Sequence, residues 1–467
     1  MRRSLIFMSL MLLAACAPAA TDTKKYITIG AILDRTGINS ELSWGDAVAL
    51  AQSHVNRALD EAGYKNLAFK VPVRDSAGLA DSAIAESTKV VTEGAKALIL
   101  ASSDEDLAVH KLSYDADVAN DLNVPLICAS CTSSSINSPT AVSTDAAQQG
   151  AWRNSNKWNA RALMSTKLIA KILARMIIKA GDTTGDGKLK VTGYCVDDTF
   201  GNGALKDIDT EMKLQVPMST LKVPYIFEKI SHPREVDTNS YSWSGDVAKT
   251  TDSYNELTLM TDGVPDMVVS ANLVLQESAF TKAYNESLTT VPNLHMHTMR
   301  ASSALRAIAQ LAEGETGVSH VLLENSPSGV TFKTEYETAF GTPVVYRDSI
   351  YYDAAMAMML ATIQATMKLD DPTTVTGAQI RDTVVAMQAT AAGGTVIRTG
   401  KDEVKKAIAE MIAGRPVNYE GASGPLDFDE NLNVRDRLAR YKVVNGVFID
   451  EAIFDCVSST DCPEVSQ

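Results

Sequence analysis

The chain of 467 residues carries 43 Lys and Arg against 57 Asp and Glu, a net charge of −14. That acidity excludes nucleic acid and anionic membrane surfaces as partners, because both select basic patches. With 45 % hydrophobic residues the chain can bury a large core, and its length suits two domains or two lobes.

The N-terminus is the first readable element. Arg2 and Arg3 precede an apolar run over 5–15 that is too short to span a bilayer and closes in Leu13-Ala14-Ala15-Cys16. A charged start, an apolar middle and small residues at the end are the marks of a secretory signal. A cysteine directly after Leu-Ala-Ala resembles the bacterial lipobox, where cleavage leaves a lipidated cysteine as the first residue. On this reading 1–15 is the signal, Cys16 carries the lipid and 16–25 is a tether; the alternative is a plain signal peptide with a coincidental cysteine. Cleavage removes two arginines, leaving 41 basic residues against 57 acidic ones and a net charge of −16. No later apolar stretch approaches the length of a span, so the lipid is the one expected membrane anchor.

Short apolar strands then alternate with amphipathic helices. Strands are expected over 26–33, 67–73, 97–100 and 124–128, separated by helices over 46–62, 81–92 and 104–119. A second series has helices over 160–180, 203–214, 275–288 and 303–312, with strands over 189–196, 267–270, 294–298 and 319–323. A third stretch places a helix over 332–340, a strand over 344–351 and a helix over 353–367. This rhythm predicts an α/β fold, with mainly parallel sheets covered by helices on both faces.

Between these elements lie features with chemical options. The turn 181–187 is rich in Asp and Gly but lacks the alternating acids and closing Glu of a calcium loop, so it reads as a helix-to-strand turn. The polar segment 231–253, with Trp243 at its middle, reads as an inserted surface loop. Cys456 and Cys462 bracket a short polar stretch and are expected to form a disulfide loop. Cys128 and Cys131 form a Cys-x-x-Cys motif that suits redox chemistry or half a metal site in the right context, but buried or disulfide-bonded structural cysteines are the simpler reading. His295 and His297 share a strand face and offer zinc ligands, yet they stand far from the cysteine pair in sequence, and no metal or cofactor is expected. No nucleophile elbow, phosphate loop, dinucleotide fingerprint or His-Glu-x-x-His motif is present, so catalysis is not expected.

Several segments in order carry a family resemblance. They are the run 27–37 (ITIGAILDRTG), Trp44-Gly45-Asp46-Ala47, Val124-Pro125-Leu126-Ile127 before a Ser/Thr-rich turn, Asp197-Asp198-Thr199-Phe200-Gly201, Tyr352-Asp353-Ala354-Ala355-Met356 and the run 424–431 (GPLDFDEN). Together they resemble the periplasmic leucine/isoleucine/valine-binding proteins of ABC uptake systems. The resemblance implies the type I periplasmic-binding fold, two doubly wound three-layer lobes joined by three crossovers and closing on a ligand. Lobe 1 would take 26–150 and 326–420, lobe 2 151–325 and 421–450, with a Cys-containing tail over 451–467.

Helix N-termini facing such a cleft hold a carboxylate through free N–H groups and a positive dipole end. Here the turns at that place are Ala101-Ser102-Ser103 and Ser130-Cys131-Thr132, with simple helix capping as the alternative use of these residues. Trp44 and Phe200 match positions of pocket-wall aromatics, although buried core aromatics are more common. Arg153 matches a recurrent arginine of the first crossover, or is a structural charge near the hinge. Met299 stands where relatives place the acid that pairs with a ligand ammonium, and the segment His297-Thr298-Met299-Arg300-Ala301 holds no carboxylate. A small carboxylate or amide is therefore as well suited as an amino acid. The expected role is a lipid-anchored capture protein that hands a small ligand to an inner-membrane ABC permease from the periplasmic face. The alternative is an outer-membrane lipoprotein using the fold as an interaction module, toward which Ala17, in place of an inner-membrane retention Asp, points.

Overall fold

The computed structural model describes residues 24–114, 121–254, 263–300, 303–321, 325–345, 347–387, 393–457 and 461–465; Cys16 and Ala17 lie outside them. Strand β1 (Lys25–Leu33) shows why the first sheet is covered twice. Ile27, Ile29, Ala31 and Leu33 enter one core and Ile32 another, as the two-residue period of a doubly buried strand requires. It pairs in parallel with β2 (Leu67–Lys70), β3 (Val73–Asp75) and β4 (Ala95–Leu100), and β5 (Leu126–Cys128) and β6 (Asn159–Arg161) extend the sheet in parallel. The helices Ser43–Ala62, Asp348–Thr366 and Lys401–Ile412 fill one face, and Ala80–Thr92 and Ser103–Tyr114 the other. Asp348–Thr366 is apolar nearly all round because it lies inside the first core.

The second sheet is built from β7 (Leu189–Val196), β8 (Tyr225–His232), β9 (Met267–Ala271), β10 (Asn293–His295) and β11 (Thr316–His320), all parallel in the order 11-10-9-7-8. A two-stranded sheet, β12 (Thr395–Arg398) with β13 (Val417–Glu420), sits beside the first core. The second sheet is finished by the antiparallel strands β14 (Arg437–Val444), β15 (Val447–Asp455) and β16 (Glu464–Val465). Asn445 and Gly446 join β14 to β15 with φ of 54° and 71°, the double left-handed turn that an Asn-Gly pair favours. Helices Thr166–Ala180 and Thr199–Gln215 cover one face of this sheet, Trp243–Thr251 and Val274–Glu286 the other. Among the described residues no helix is long and apolar enough to cross a membrane.

The boundaries differ from expectation in several places. The helix expected over 160–180 starts at Thr166, where Ser165 caps it, because 159–161 is extended and pairs with β5. The first core also runs on through Leu426, Phe428, Leu432 and Val434, so the first lobe exceeds 26–150 and 326–420 at both ends. The stretch 451–467 is no separate tail, since Val447–Asp455 and Glu464–Val465 are the edge of the second sheet. The segment 231–253 contains the helix Trp243–Thr251, and Trp243 packs against His232 and Tyr241. No strand forms over 344–351 among the described residues; Arg347 precedes a helix that begins at Asp348. In the turn 181–187, the Asp182 carboxylate accepts hydrogen bonds from the Gly185 and Gly187 amides, each 2.7 Å long.

Candidate functional site

The lobes face each other across the C-terminal ends of their strands, which is where open α/β sheets bind ligands. On the first lobe, Asp34 closes the loop after β1 by accepting from Gly37 N at 2.7 Å and Asn39 N at 3.1 Å, which sets Asn39 at the cleft. Ser102 and Ser103 follow β4. The Ser102 N–H donates to the buried Glu105 carboxylate at 2.8 Å, and burial pushes that carboxyl up to about 7 although the Ser76 hydroxyl donates to it. This amide is therefore spent on a helix cap, and Ser102 lines the cleft. Ser130 Oγ donates to the Ala101 carbonyl at 2.5 Å and lies 3.0 Å from Tyr351 Oη, fixing the turn after β5. Cys128 and Cys131 form a disulfide across this turn, and Cys456 and Cys462 form a second one at the far edge of the other lobe.

On the second lobe, Asp198 caps the helix Thr199–Gln215 by accepting from Gly201 N at 2.8 Å and so places Phe200 at the cleft. Position 201 has to be glycine, because a Cβ there would lie 2.1 Å from the Val196 carbonyl oxygen. The turn His297–Arg300 contributes His297 and Thr298, and Leu273 precedes the neighbouring helix.

Between these walls is a space of ≈ 270 Å³ lined by Asn39, Ser102, Ser103, Ser130, Thr132 and Arg347 of the first lobe and Phe200, Leu273, His297 and Thr298 of the second. Asn39 Oδ1, Ser102 Oγ, His297 Nδ1 and Thr298 Oγ1 are buried there without a hydrogen-bond partner among the described residues. Such atoms also occur elsewhere among the described residues, as at His110 and Trp44; what singles out these four is that their residues line one space between the two lobes. Arg347, 2 % exposed, is the charged residue among those lining it. His297 is 1 % exposed and edge-on to Phe200 and His320, at 5.5 and 5.7 Å between ring centres. Burial first, then the charges of Arg347 and His320, hold its pKa well below the usual histidine range, so it is neutral.

Two roomier hollows lie elsewhere. One of ≈ 690 Å³ is lined mostly by apolar groups such as Leu360, Met387 and Met411, and one of ≈ 1150 Å³ lies near Asn285, Glu313 and Glu315. Neither lies between the two lobes, and the cleft is preferred for its converging orphaned atoms rather than for its size.

The mouth of the cleft is held by Arg234, which follows β8. Its Nη1 lies 2.8 Å from Asp104 Oδ2 of the first lobe and 2.5 Å from Asp198 Oδ2 of the second, and Nη2 donates to the Gly78 carbonyl at 2.5 Å. Thr199 N donates to Asp104 Oδ1 at 3.1 Å. Burial, with Asp104 adding to it, pushes the Asp198 carboxyl up to about 7 against the pull of Arg234.

Of the residues singled out from sequence, Ser102, Ser103, Ser130, Thr132 and Phe200 meet in the cavity. Trp44 stacks on Tyr351 at 4.6 Å, one layer behind the wall, with its indole buried. Arg153 donates from Nε to the Ala141 carbonyl at 2.7 Å and does not line the cavity. The Met299 side chain joins Val274, Leu305 and Tyr441 in a small core, because consecutive residues of the tight turn point apart and Thr298 takes the cleft side. His295 and His297 diverge too. His295 Nδ1 lies 2.5 Å from Glu277 Oε1 and its Nε2 meets Glu315 inside the second lobe, so no four-residue site forms with Cys128 and Cys131. Asp106 stands beside that disulfide, whose sulfurs are paired and offer no thiolate. Asn39, Leu273, His297, Thr298, Arg347 and Arg234 were not read as site residues; the Gly37-Ile38-Asn39 turn after a strand was the available signal for the first.

Two αβα lobes with a polar cleft between their strand ends define a class of two-lobed binding folds. Neither a protein-family model nor a curated protein matches the sequence, but solved structures do. A leucine-binding protein of Thermotoga maritima is similar at 16 % identity and a TM-score of 0.61, over 92 % of this chain and 99 % of that one. An ABC-transporter solute-binding protein of Rhodopseudomonas palustris in complex with 3,4-dihydroxybenzoic acid is similar at 16 % and 0.63, over 92 % and 98 %. A branched-chain amino acid transporter substrate-binding protein of Streptococcus pneumoniae in complex with isoleucine is similar at 16 % and 0.56, over 92 % and 99 %. The fold is the type I periplasmic-binding-protein fold.

Proposed function

We propose that the protein is the capture component of an ABC-type uptake system, held at the periplasmic face of a membrane by a lipid on Cys16, and that it closes its lobes on a small carboxylate before delivery to a permease. The observation that supports this reading most is the cavity itself: orphaned polar atoms from both lobes converge on it, with Arg347 the charged residue in its lining. Arg347 and the hydroxyls of Ser103 and Thr132 suit a carboxylate, a group shared by isoleucine and dihydroxybenzoic acid, the ligands of two of the similar structures. Closure by a hinge motion is the means by which such lobes trap a solute.

A thermal-shift screen of the chain from residue 17 onward against amino acids, aliphatic and aromatic carboxylates and amides tests this reading, since a ligand bound only by the folded state raises its melting temperature. A stabilising carboxylate is the expected result, and silence across the whole panel would remove the capture role. The anchor is tested separately by mass spectrometry of the mature N-terminus, and Ala17 predicts recovery in the outer-membrane fraction.

A further inference from the structure

We infer that the solute carries, opposite its carboxylate, a neutral hydrogen-bonding oxygen, a hydroxyl or carbonyl, in place of an ammonium group, and that His297 and Thr298 select it. This rests on the reading of the cleft as a solute site. The second lobe presents two polar side chains to the cavity, His297 and Thr298, between the apolar Phe200 and Leu273. His297 Nδ1 and Thr298 Oγ1 are both buried and both without a partner among the described residues.

An ammonium group placed there would be taken out of water and offered no carboxylate by the described lining. Loss of water without a countercharge disfavours it, and the Arg347 guanidinium shares the same small space. A neutral imidazole and a hydroxyl suit an uncharged partner. A ligand hydroxyl both donates and accepts, so it satisfies either tautomer of His297, and a carbonyl satisfies the Nδ1–H form. Either oxygen supplies what these two orphaned atoms lack.

The test is calorimetric titration of the mature chain with two matched series. One is leucine, its 2-hydroxy and 2-oxo acids and 4-methylpentanoate; the other is 4-hydroxybenzoate, benzoate and 4-(aminomethyl)benzoate. In the series that binds, the hydroxy or oxo member is expected to exceed the ammonium member by about 100-fold and the unsubstituted acid by about tenfold, as for a buried polar group left unpaired. Thr298→Val, which keeps shape and removes the hydroxyl, and His297→Phe, checked for native melting, are each expected to shrink the second ratio while leaving the unsubstituted acid bound. An ammonium member that binds as well as or better than its hydroxy counterpart overturns the inference and leaves the capture reading standing. No binding by any member overturns the inference, and the capture reading falls with it only when the wider thermal-shift panel is silent as well.

Discussion

At its mouth the cleft is closed by ion pairs, and deeper in, beside Arg347, it is lined by neutral polar groups. Arg234 bridges Asp104 and Asp198 across the gap and donates to the Gly78 carbonyl. A short way inside, a neutral histidine, a threonine, a serine and an asparagine hold atoms with nothing to bond among the described residues. The difference separates two jobs. The rim can close without a solute because its partners are both protein, whereas the floor gains its missing hydrogen bonds only when something else enters. Removing a floor contact should therefore change affinity for the solute, and removing a rim contact should change the balance of open and closed forms.

The largest effect is expected where the floor carries its charge. Arg347→Met should weaken carboxylate binding by about 100-fold, as losing one partner of a buried charged pair costs roughly 2–5 kcal/mol. Calorimetry on a variant with native melting checks this, and unchanged affinity would move the carboxylate elsewhere in the cleft. Arg234→Gln comes next, with about a tenfold loss. It gives up two carboxylates and a carbonyl at a partly buried rim, where such contacts contribute roughly 1–2 kcal/mol. Its distinguishing readout is the radius of gyration from small-angle scattering, which should rise without solute and fall back with it. A variant as closed as the parent chain would show that the rim does not hold the lobes together.

The same contrast predicts a pH dependence. In the closed form the Asp198 carboxyl is pushed up to about 7, by burial and by Asp104 against the pull of Arg234, and separation of the lobes returns it toward its ordinary value of 3.8. A group with a raised pKa in one form favours that form fully below the ordinary value and loses this contribution as pH rises through the raised one. Closure is thus expected to weaken between about pH 4 and 7, with affinity falling several-fold and Asp198→Asn removing most of the slope. Burial holds the His297 pKa well below the usual histidine range, whereas Glu105 behind Ser102 is itself pushed up to about 7, so the Asp198→Asn comparison is what isolates the rim. Affinity that rises with pH in that window would contradict the assignment.

The strand and helix rhythm made the architecture legible, because alternate residues of β1 and β4 feed two cores and their apolar runs stand out. The turns after β4 and β5 were legible for the same reason: Ser102 and Ser103 follow the first, Ser130 and Thr132 the second. Arg347 was hidden by its surroundings, since Val344-Val345-Tyr346 before it and Ile350-Tyr351 after it read as one strand, although Asp348 opens a helix that the first core buries. Arg234 fell in a polar segment without periodicity, and its partners lie 130 and 36 positions away. The turn His297–Arg300 misled by one residue, since local pattern does not say which of Thr298 and Met299 faces a cleft assembled from distant segments.

The smallest expected effect compares the two disulfides. Each closes a short loop, so in the chain-entropy account each contributes about 2 kcal/mol to folding, and replacing either pair by serine should lower the melting temperature to a similar degree. Their positions differ. Cys128–Cys131 spans the turn that carries Ser130 and leads into Thr132, both in the cavity lining, whereas Cys456–Cys462 lies at the outer edge of the second sheet. Loosening the first should let the Ser130 hydroxyl leave its place between Ala101 and Tyr351 and weaken solute binding by about threefold, equivalent to 0.6 kcal/mol or so. Loosening the second should leave affinity alone. Equal affinities in the two double variants, at equal melting temperatures, would mean that the hydrogen bonds of Ser130 hold the turn without the covalent link.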